Sequence, residues 1–217
     1  MCMKPSLVGI AGPTAAGKST LAVRLAKRFS GEVISADSRQ VYRGLDVGTA
    51  KLSRREMGGI PHHLIDVADP RRYFTAAEFK SAAEHAIHDI HRRGHLPFLV
   101  GGTGFYIETL IRGREFPAVP PDQRLRRRLQ KLKSGTLYRM VKTRDPRRAR
   151  SLDPQNRVRL VRALEILLKT KRPIPLIREN APYRALILVL DPPRSALYQR
   201  LPARQPAKYP RGRFTEI

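Results

Sequence analysis

Residues Gly12 to Ser19 read G-P-T-A-A-G-K-S. Glycines bracket the run, and a lysine and a hydroxyl residue follow the second one. Glycine lets backbone N–H groups turn inward on an anion, and a lysine placed here adds charge for terminal phosphates. The serine hydroxyl is a Mg²⁺ ligand in loops of this kind. The chemistry is the holding of two or more linked phosphates by Gly12, Pro13, Thr14, Ala15, Ala16, Gly17, Lys18 and Ser19, with Mg²⁺ on Ser19. The loop alone leaves open whether those phosphates belong to a nucleotide, and whether a phosphate is what moves.

Such a loop works between a strand and a helix. Leu7 to Ala11 is a short apolar run, and Leu21, Ala22, Leu25, Ala26 and Phe29 recur at helical spacing. A second strand is expected over Glu32 to Ala36, with Asp37 at its carboxyl end. Open α/β sheets take their ligands beyond the carboxyl ends of the strands, which brings Asp37 beside the phosphate loop. A carboxylate there can act as a general base, a helix cap or a carboxylate behind Mg²⁺.

Thr75 and Glu78 form a capping box for a helix from Ala76 to His91, and Phe79, Ala83, Ala86, Ile87 and Ile90 make its apolar stripe. Gly94 ends it. Leu96 to Val100 reads as a third buried strand, followed by Gly101, Gly102, Thr103 and a helix to about Ile111. Phosphoryl-transfer enzymes commonly end this strand in an acid that organises Mg²⁺. Gly-Gly-Thr stands there instead, which argues against an ATPase or kinase. The alternation predicts a fold of the α/β class, a P-loop NTPase-like parallel sheet flanked by helices, with a mostly helical basic insertion. The expected divisions are a core over 1–114, the insertion over 115–178, and a return to the core over 179–217.

Three prolines between Phe116 and Pro121 open the insertion. Asp122 to Lys133 reads as a very basic helix, with Arg124, Arg126, Arg127 and Arg128. A second helix, roughly Asn156 to Lys169, carries Leu160, Val161, Leu164, Leu167 and Leu168 on one face and Arg159 and Arg162 on the other. Ala185 to Leu190 reads as a late strand.

Net charge is +25, from 43 Lys and Arg against 18 Asp and Glu, which points to a polyanionic partner. Residues 1–110 hold 15 basic and 10 acidic residues, while 111–150 hold 14 and 3. The second half thus reads as the nucleic-acid-facing one. Cys2 is the single cysteine, so a disulfide framework is excluded. The start shows no signal-peptide pattern, and no apolar run approaches membrane length, so a cytoplasmic protein is expected. His85, His88 and His91 drift around their helix and read as a polar face rather than a metal site. Tyr42 and Tyr106 read as packing residues, and His62 and His63 suggest no chemical role.

Four segments together resemble the tRNA dimethylallyltransferase (tRNA isopentenyltransferase) family. They are the loop Gly12–Ser19, the run I-S-A-D-S-R-Q-V-Y-R-G-L-D-V-G-T-A-K from Ile34 to Lys51, P-H-H-L-I-D from Pro61 to Asp66, and P-F-L-V-G-G-T-G-F-Y-I from Pro97 to Ile107. R-L-V-R-A-L-E-I from Arg159 to Ile166 is a weaker fifth. The resemblance covers about residues 5–201. It implies that dimethylallyl diphosphate binds on the loop and that N6 of an adenine on the 3′ side of the tRNA anticodon attacks its allylic carbon. Asp37 would be the general base, with Lys18 and Thr14 assisting the leaving diphosphate. Asp37, Ser38, Arg39, Gln40, Thr103 and the run Val158, Arg159, Leu160, Val161, Arg162 would contact tRNA. The implied cofactor is Mg²⁺, and the implied state is a monomer without membrane attachment. Prenylation of free adenylates, and an RNA-binding chain that has lost catalysis, are the alternatives. The family carries a further carboxyl-terminal tail, so this chain is read as truncated.

Overall fold

Three strands of the chain are apolar on both sides, and helices cover both of their faces. The computed structural model describes residues 4–204. The first of two units runs to Arg114 and resumes at Glu179. It holds β1 (Ser6–Ala11), α1 (Lys18–Arg28), β2 (Gly31–Ser35), α2 (Arg54–Met57), β3 (His62–His63), α3 (Ala76–Arg92), β4 (Leu96–Gly101) and α4 (Gly104–Ile111). The second unit, Glu115–Arg178, holds α5 (Gln123–Gln130), α6 (Ser134–Arg144), α7 (Pro146–Arg150) and α8 (Arg157–Thr170). The first unit then resumes with β5 (Arg184–Val189) and α9 (Arg194–Arg204).

The sheet is parallel throughout, in the order β3-β2-β4-β1-β5. Strand period decides which face each side chain serves. Leu7, Ile34 and Leu99 join Phe79, Ala83, Ile87 and Ile90 of α3 and Tyr106, Ile107 and Leu110 of α4 in one core. Ile10, Val33, Phe98 and Val100 point the other way, onto Ala22 and Ala26 of α1. Phe29, counted in the helical stripe, lies just beyond α1 as its C-cap and is more than half exposed. The capping box of α3 forms in both directions, Glu78 N–H to Thr75 Oγ1 and Thr75 N–H to Glu78 Oε2.

The second unit departs from the sequence reading in one respect. The basic helix stops at Gln130, and Lys133 N-caps a new helix, α6; Asp145 and Pro146 then open the short α7. Leu129, Leu137, Val141, Ala149, Leu160 and Leu164 build this unit's own core. Residues 205–217, part of the expected return to the core over 179–217, lie outside the described residues. Among the described residues no helix is long and apolar enough to cross a membrane.

Candidate active site

The phosphate loop is the connection from β1 to α1. Gly12, Ala15 and Gly17 all have positive φ (146°, 64° and 88°), and Ala16 N–H donates to the Pro13 carbonyl at 3.3 Å to close the turn. Gly12 admits no side chain, since a Cβ there would be driven into the carbonyl oxygen of Leu190. Gly17 is the N-cap of α1 and offers no side-chain cap, and the first turn of α1 carries no acid. No capping side chain or acid competes at that helix end, and its positive dipole end points into the loop. Lys18 Nζ donates to the Pro13 carbonyl at 2.7 Å, which folds the ammonium back over the loop. Thr14 is exposed at the rim, and the half-buried Ser19 hydroxyl makes no hydrogen bond among the described residues.

Two neighbouring strand ends complete the site. β4 ends at Gly101, where a Cβ would collide with the backbone of Ala36 at the end of β2. This glycine lets the two chains touch. Thr103 N–H then donates to the Ala36 carbonyl at 3.2 Å, and Gly102 lies against the Gly12 carbonyl. The segment after β4 thus sits between the phosphate loop and the turn that follows β2. In that turn Asp37 Oδ1 accepts from the N–H groups of Arg39 (2.8 Å) and Gln40 (3.4 Å). Its Oδ2 has no partner among the described residues.

Thr103 occupies the N-cap position of α4 without capping it. Its hydroxyl instead accepts from Ser38 N–H at 3.0 Å and donates to Ser38 Oγ at 3.4 Å. Arg39 is exposed. The Gln40 amide is engaged within the protein, with Oε1 accepting from Ser35 Oγ (3.1 Å) and Nε2 donating to the Thr49 carbonyl (3.2 Å). The structure thus brings Gly12–Ser19, Asp37, Ser38 and Thr103 together, and turns Gln40 inward.

The insertion residues sort differently from the expectation that Val158 to Arg162 all face RNA. Leu160 and Val161 are buried in the second unit's core, as helical period requires of an apolar stripe. Arg162 pairs with the buried Glu165 and donates to the Val119 carbonyl at 2.9 Å. Arg126 holds the same carboxylate through two bonds of 2.8 Å. Burial pushes the Glu165 carboxyl up, but Arg126, the Asp122 amide and Arg162 outweigh it and hold it below the usual range. Val158, Arg159, Arg124, Arg127 and Arg128 are exposed.

Tyr106 is buried and stacks on Phe79 with ring centroids 4.1 Å apart, and burial raises its hydroxyl to about 12. Tyr42 Oη accepts from Phe74 N–H at 3.0 Å. His63, for which the sequence offered no role, donates to the buried Glu32 at 2.6 Å, and Arg93 and His95 bind the same carboxylate. Among the described residues no group of three or more His, Cys, Asp or Glu is placed to hold a metal ion.

A glycine loop feeding a helix at the carboxyl end of a parallel sheet flanked by helices is the P-loop NTPase-like architecture. The profile of the family described as IPP transferase matches residues 40–217. The tRNA dimethylallyltransferase of Roseiflexus sp. (strain RS-1) is 43% identical over 97% of this chain and 71% of its own length. That of Thermomicrobium roseum is 42% identical over 100% and 68%. The crystal structure of the full-length tRNA isopentenylpyrophosphate transferase from Bacillus halodurans matches with TM-score 0.62 at 41% identity, covering 94% of this chain and 66% of that one. A eukaryotic dimethylallyltransferase acting on tRNA matches with TM-score 0.77 at 31% identity, over 94% and 52%. The chain belongs to the IPP transferase family, and it spans about seven tenths of the length of these curated relatives.

Proposed function

We propose that this chain transfers a dimethylallyl group from dimethylallyl diphosphate to N6 of an adenine on the 3′ side of the anticodon in tRNA. The observation that carries the reading is the pairing of an anion cradle, Gly12–Ser19, with the free Oδ2 of Asp37 across the Gly102–Thr103 segment. An anion leaves on one side, and a proton is taken on the other.

The diphosphate lies on the loop amides and the N-terminus of α1. N6 forms a bond to the allylic carbon while the C–O bond breaks, and the bonding pair departs with the diphosphate. Negative charge grows on that oxygen, where the loop amides, Lys18 and the Thr14 hydroxyl lower its energy. Asp37 Oδ2 accepts the N6 proton, and the turn that occupies Oδ1 fixes the direction in which Oδ2 faces. The free hydroxyl of Ser19 suits Mg²⁺, which takes few protein ligands beside phosphate oxygens. When bound, Mg²⁺ would add positive charge against the diphosphate. Ser38, Arg39 and Thr103 form the acceptor side. On the insertion, the exposed Arg124, Arg127, Arg128 and Arg159 supply a basic face for RNA phosphates, with exposed Val158 beside them, since the buried Glu165 is already paired with Arg126 and Arg162.

The test is incubation of the full chain with labelled dimethylallyl diphosphate and an unmodified tRNA bearing adenine after the anticodon. Label in RNA is expected. It should fall at least about 100-fold in Asp37→Asn, the scale of a lost general base, with tRNA binding retained. No label in RNA from the wild-type chain, or label in AMP in preference to tRNA, would overturn the reading.

A further inference from the structure

The segment from Val41 to Asp66 winds around a lysine. Lys51 is 6% exposed. Its Nζ donates to the Tyr42 carbonyl at 2.6 Å, to Asp46 Oδ1 at 2.8 Å and to Asp66 Oδ1 at 2.5 Å. All three of its donors are thus directed at chain that leaves and re-enters the sheet. Burial works to lower this ammonium's pKa, yet the two carboxylates outweigh it and the net shift is upward. The group is held charged inside the fold.

The surrounding backbone is strained. Ala50, Leu64 and Asp66 have φ of 53°, 61° and 59°, in the left-handed region that side chains other than glycine avoid. Such conformations persist only where neighbouring structure over-determines them. Asp66 is one of the three, and it is also a partner of Lys51. The same segment holds the Asp37 turn from behind. Asp66 N–H donates to the Gln40 carbonyl at 3.2 Å, Ala68 N–H to the Val41 carbonyl at 2.8 Å, and the Gln40 side chain to the Thr49 carbonyl. A cavity of about 340 Å³ opens beside the clamp, lined in part by Lys51, Leu52, Met57 and Ile65. Packing anchors the segment at Val41 and Leu64, which are buried, and Lys51 with its ionic ties lies between them in the chain.

We infer that Lys51 is a positioning residue for the acceptor side of the site: its ammonium holds the strained 41–66 segment in the one arrangement that aims Asp37 Oδ2. The inference rests on the proposed prenyl transfer for its kinetic consequence, but not for its structural one. Lys51 is buried, and its ammonium bonds to protein oxygens. Its influence reaches Asp37 through Asp66, Gln40 and the turn, and so separates the proton-accepting half of the site from the phosphate loop.

The experiment compares the wild-type chain with Lys51→Met, Lys51→Arg and Asp66→Asn. Amide exchange of the peptide spanning residues 36–43 should rise at least about tenfold in Lys51→Met, one factor of ten per about 1.4 kcal/mol of lost closure. Exchange in α1 should stay unchanged. Affinity for inorganic diphosphate at the loop should also stay at the wild-type value, while kcat for tRNA prenylation falls on the order of 100-fold, the scale of an ångström's misplacement. Lys51→Arg should recover part of both losses. If Lys51→Met does not fold, Asp66→Asn removes one tie while keeping the ammonium, and its exchange and kcat decide in the same way. Unchanged exchange over 36–43, or diphosphate affinity that falls in step with kcat, overturns the inference. A wild-type chain that makes no product refutes the prenyl-transfer reading alone, and the exchange measurement still decides the role of Lys51.

Discussion

Glu32→Gln should destabilise the first unit by about 2–3 kcal/mol at neutral pH, and that difference should vanish in acid. Glu32 lies on β2 at 2% exposure and accepts from Arg93 Nε and Nη2 at 2.8 Å each, from His95 Nδ1 at 2.7 Å and from His63 Nε2 at 2.6 Å. The Arg93 bonds, with help from His63 and His95 and against burial, lower its pKa from 4.5 to about 2. That gap is worth about 3 kcal/mol at 1.36 kcal/mol per pH unit. Arg93 and His95 are 46% and 42% exposed, so solvent screening trims the figure towards about 2 kcal/mol. A carboxyl whose folded pKa lies below its unfolded value contributes stability above the unfolded value. It loses that stability as pH falls through the folded one. The wild-type advantage should therefore be complete above pH 4.5 and decline towards about 2. Urea unfolding of both proteins, followed by circular dichroism from neutral pH to about pH 2, measures it. A neutral-pH difference below about 0.5 kcal/mol, or one that does not shrink in acid, would refute the assignment of Glu32 as a charged, buried hub.

Lys18→Ala should lower kcat/KM for prenyl transfer by on the order of 10²–10³ while leaving tRNA affinity unchanged, as filter binding beside the kinetic assay would report. Gly12→Ala should abolish diphosphate binding in calorimetry and lower the melting temperature, because its Cβ meets the Leu190 carbonyl. A binding-competent variant would contradict that contact. Arg159→Ala should weaken tRNA binding about equally across sequences and reduce the salt slope of log K by about 1. An unchanged slope would remove Arg159 from the RNA face.

What the sequence disclosed is what local rules encode. The strands around Ile10, Ile34 and Leu99 were legible because both of their faces are apolar, and α3 because Thr75 and Glu78 cap it reciprocally. The strand, loop and helix around Gly12–Ser19 were legible because glycine spacing is a backbone property. β3 was not legible, since two residues have no period and His62 and His63 join the sheet only through their register with β2. α6 stayed hidden because it opens on Ser134 and Gly135 without a side-chain cap, and α7 because five residues are too short for a period. The inward roles of Gln40, Thr103 and Lys51 depend on side-chain bonds to strand ends and carbonyls that only the folded chain supplies. Thr103 reaches a partner 65 positions away. Arg126 and Arg162 read as RNA-facing because the burial of Glu165 between them has no local signature.

β1 takes its hydrogen-bonding neighbours from far along the chain. Val8 pairs with Phe98 on one side and Leu186 on the other, and Leu190 N–H closes on the Ala11 carbonyl at 2.8 Å. The phosphate loop is therefore synthesised well before the residues that complete its walls. The separate core of Glu115–Arg178 emerges in between and has what it needs to condense beforehand. Diphosphate cannot template the early nascent chain, because the Leu190 side of its cradle has not yet been synthesised. Maturation of this site thus waits on β5, and a fault in that strand should show first as an empty loop far earlier in the sequence.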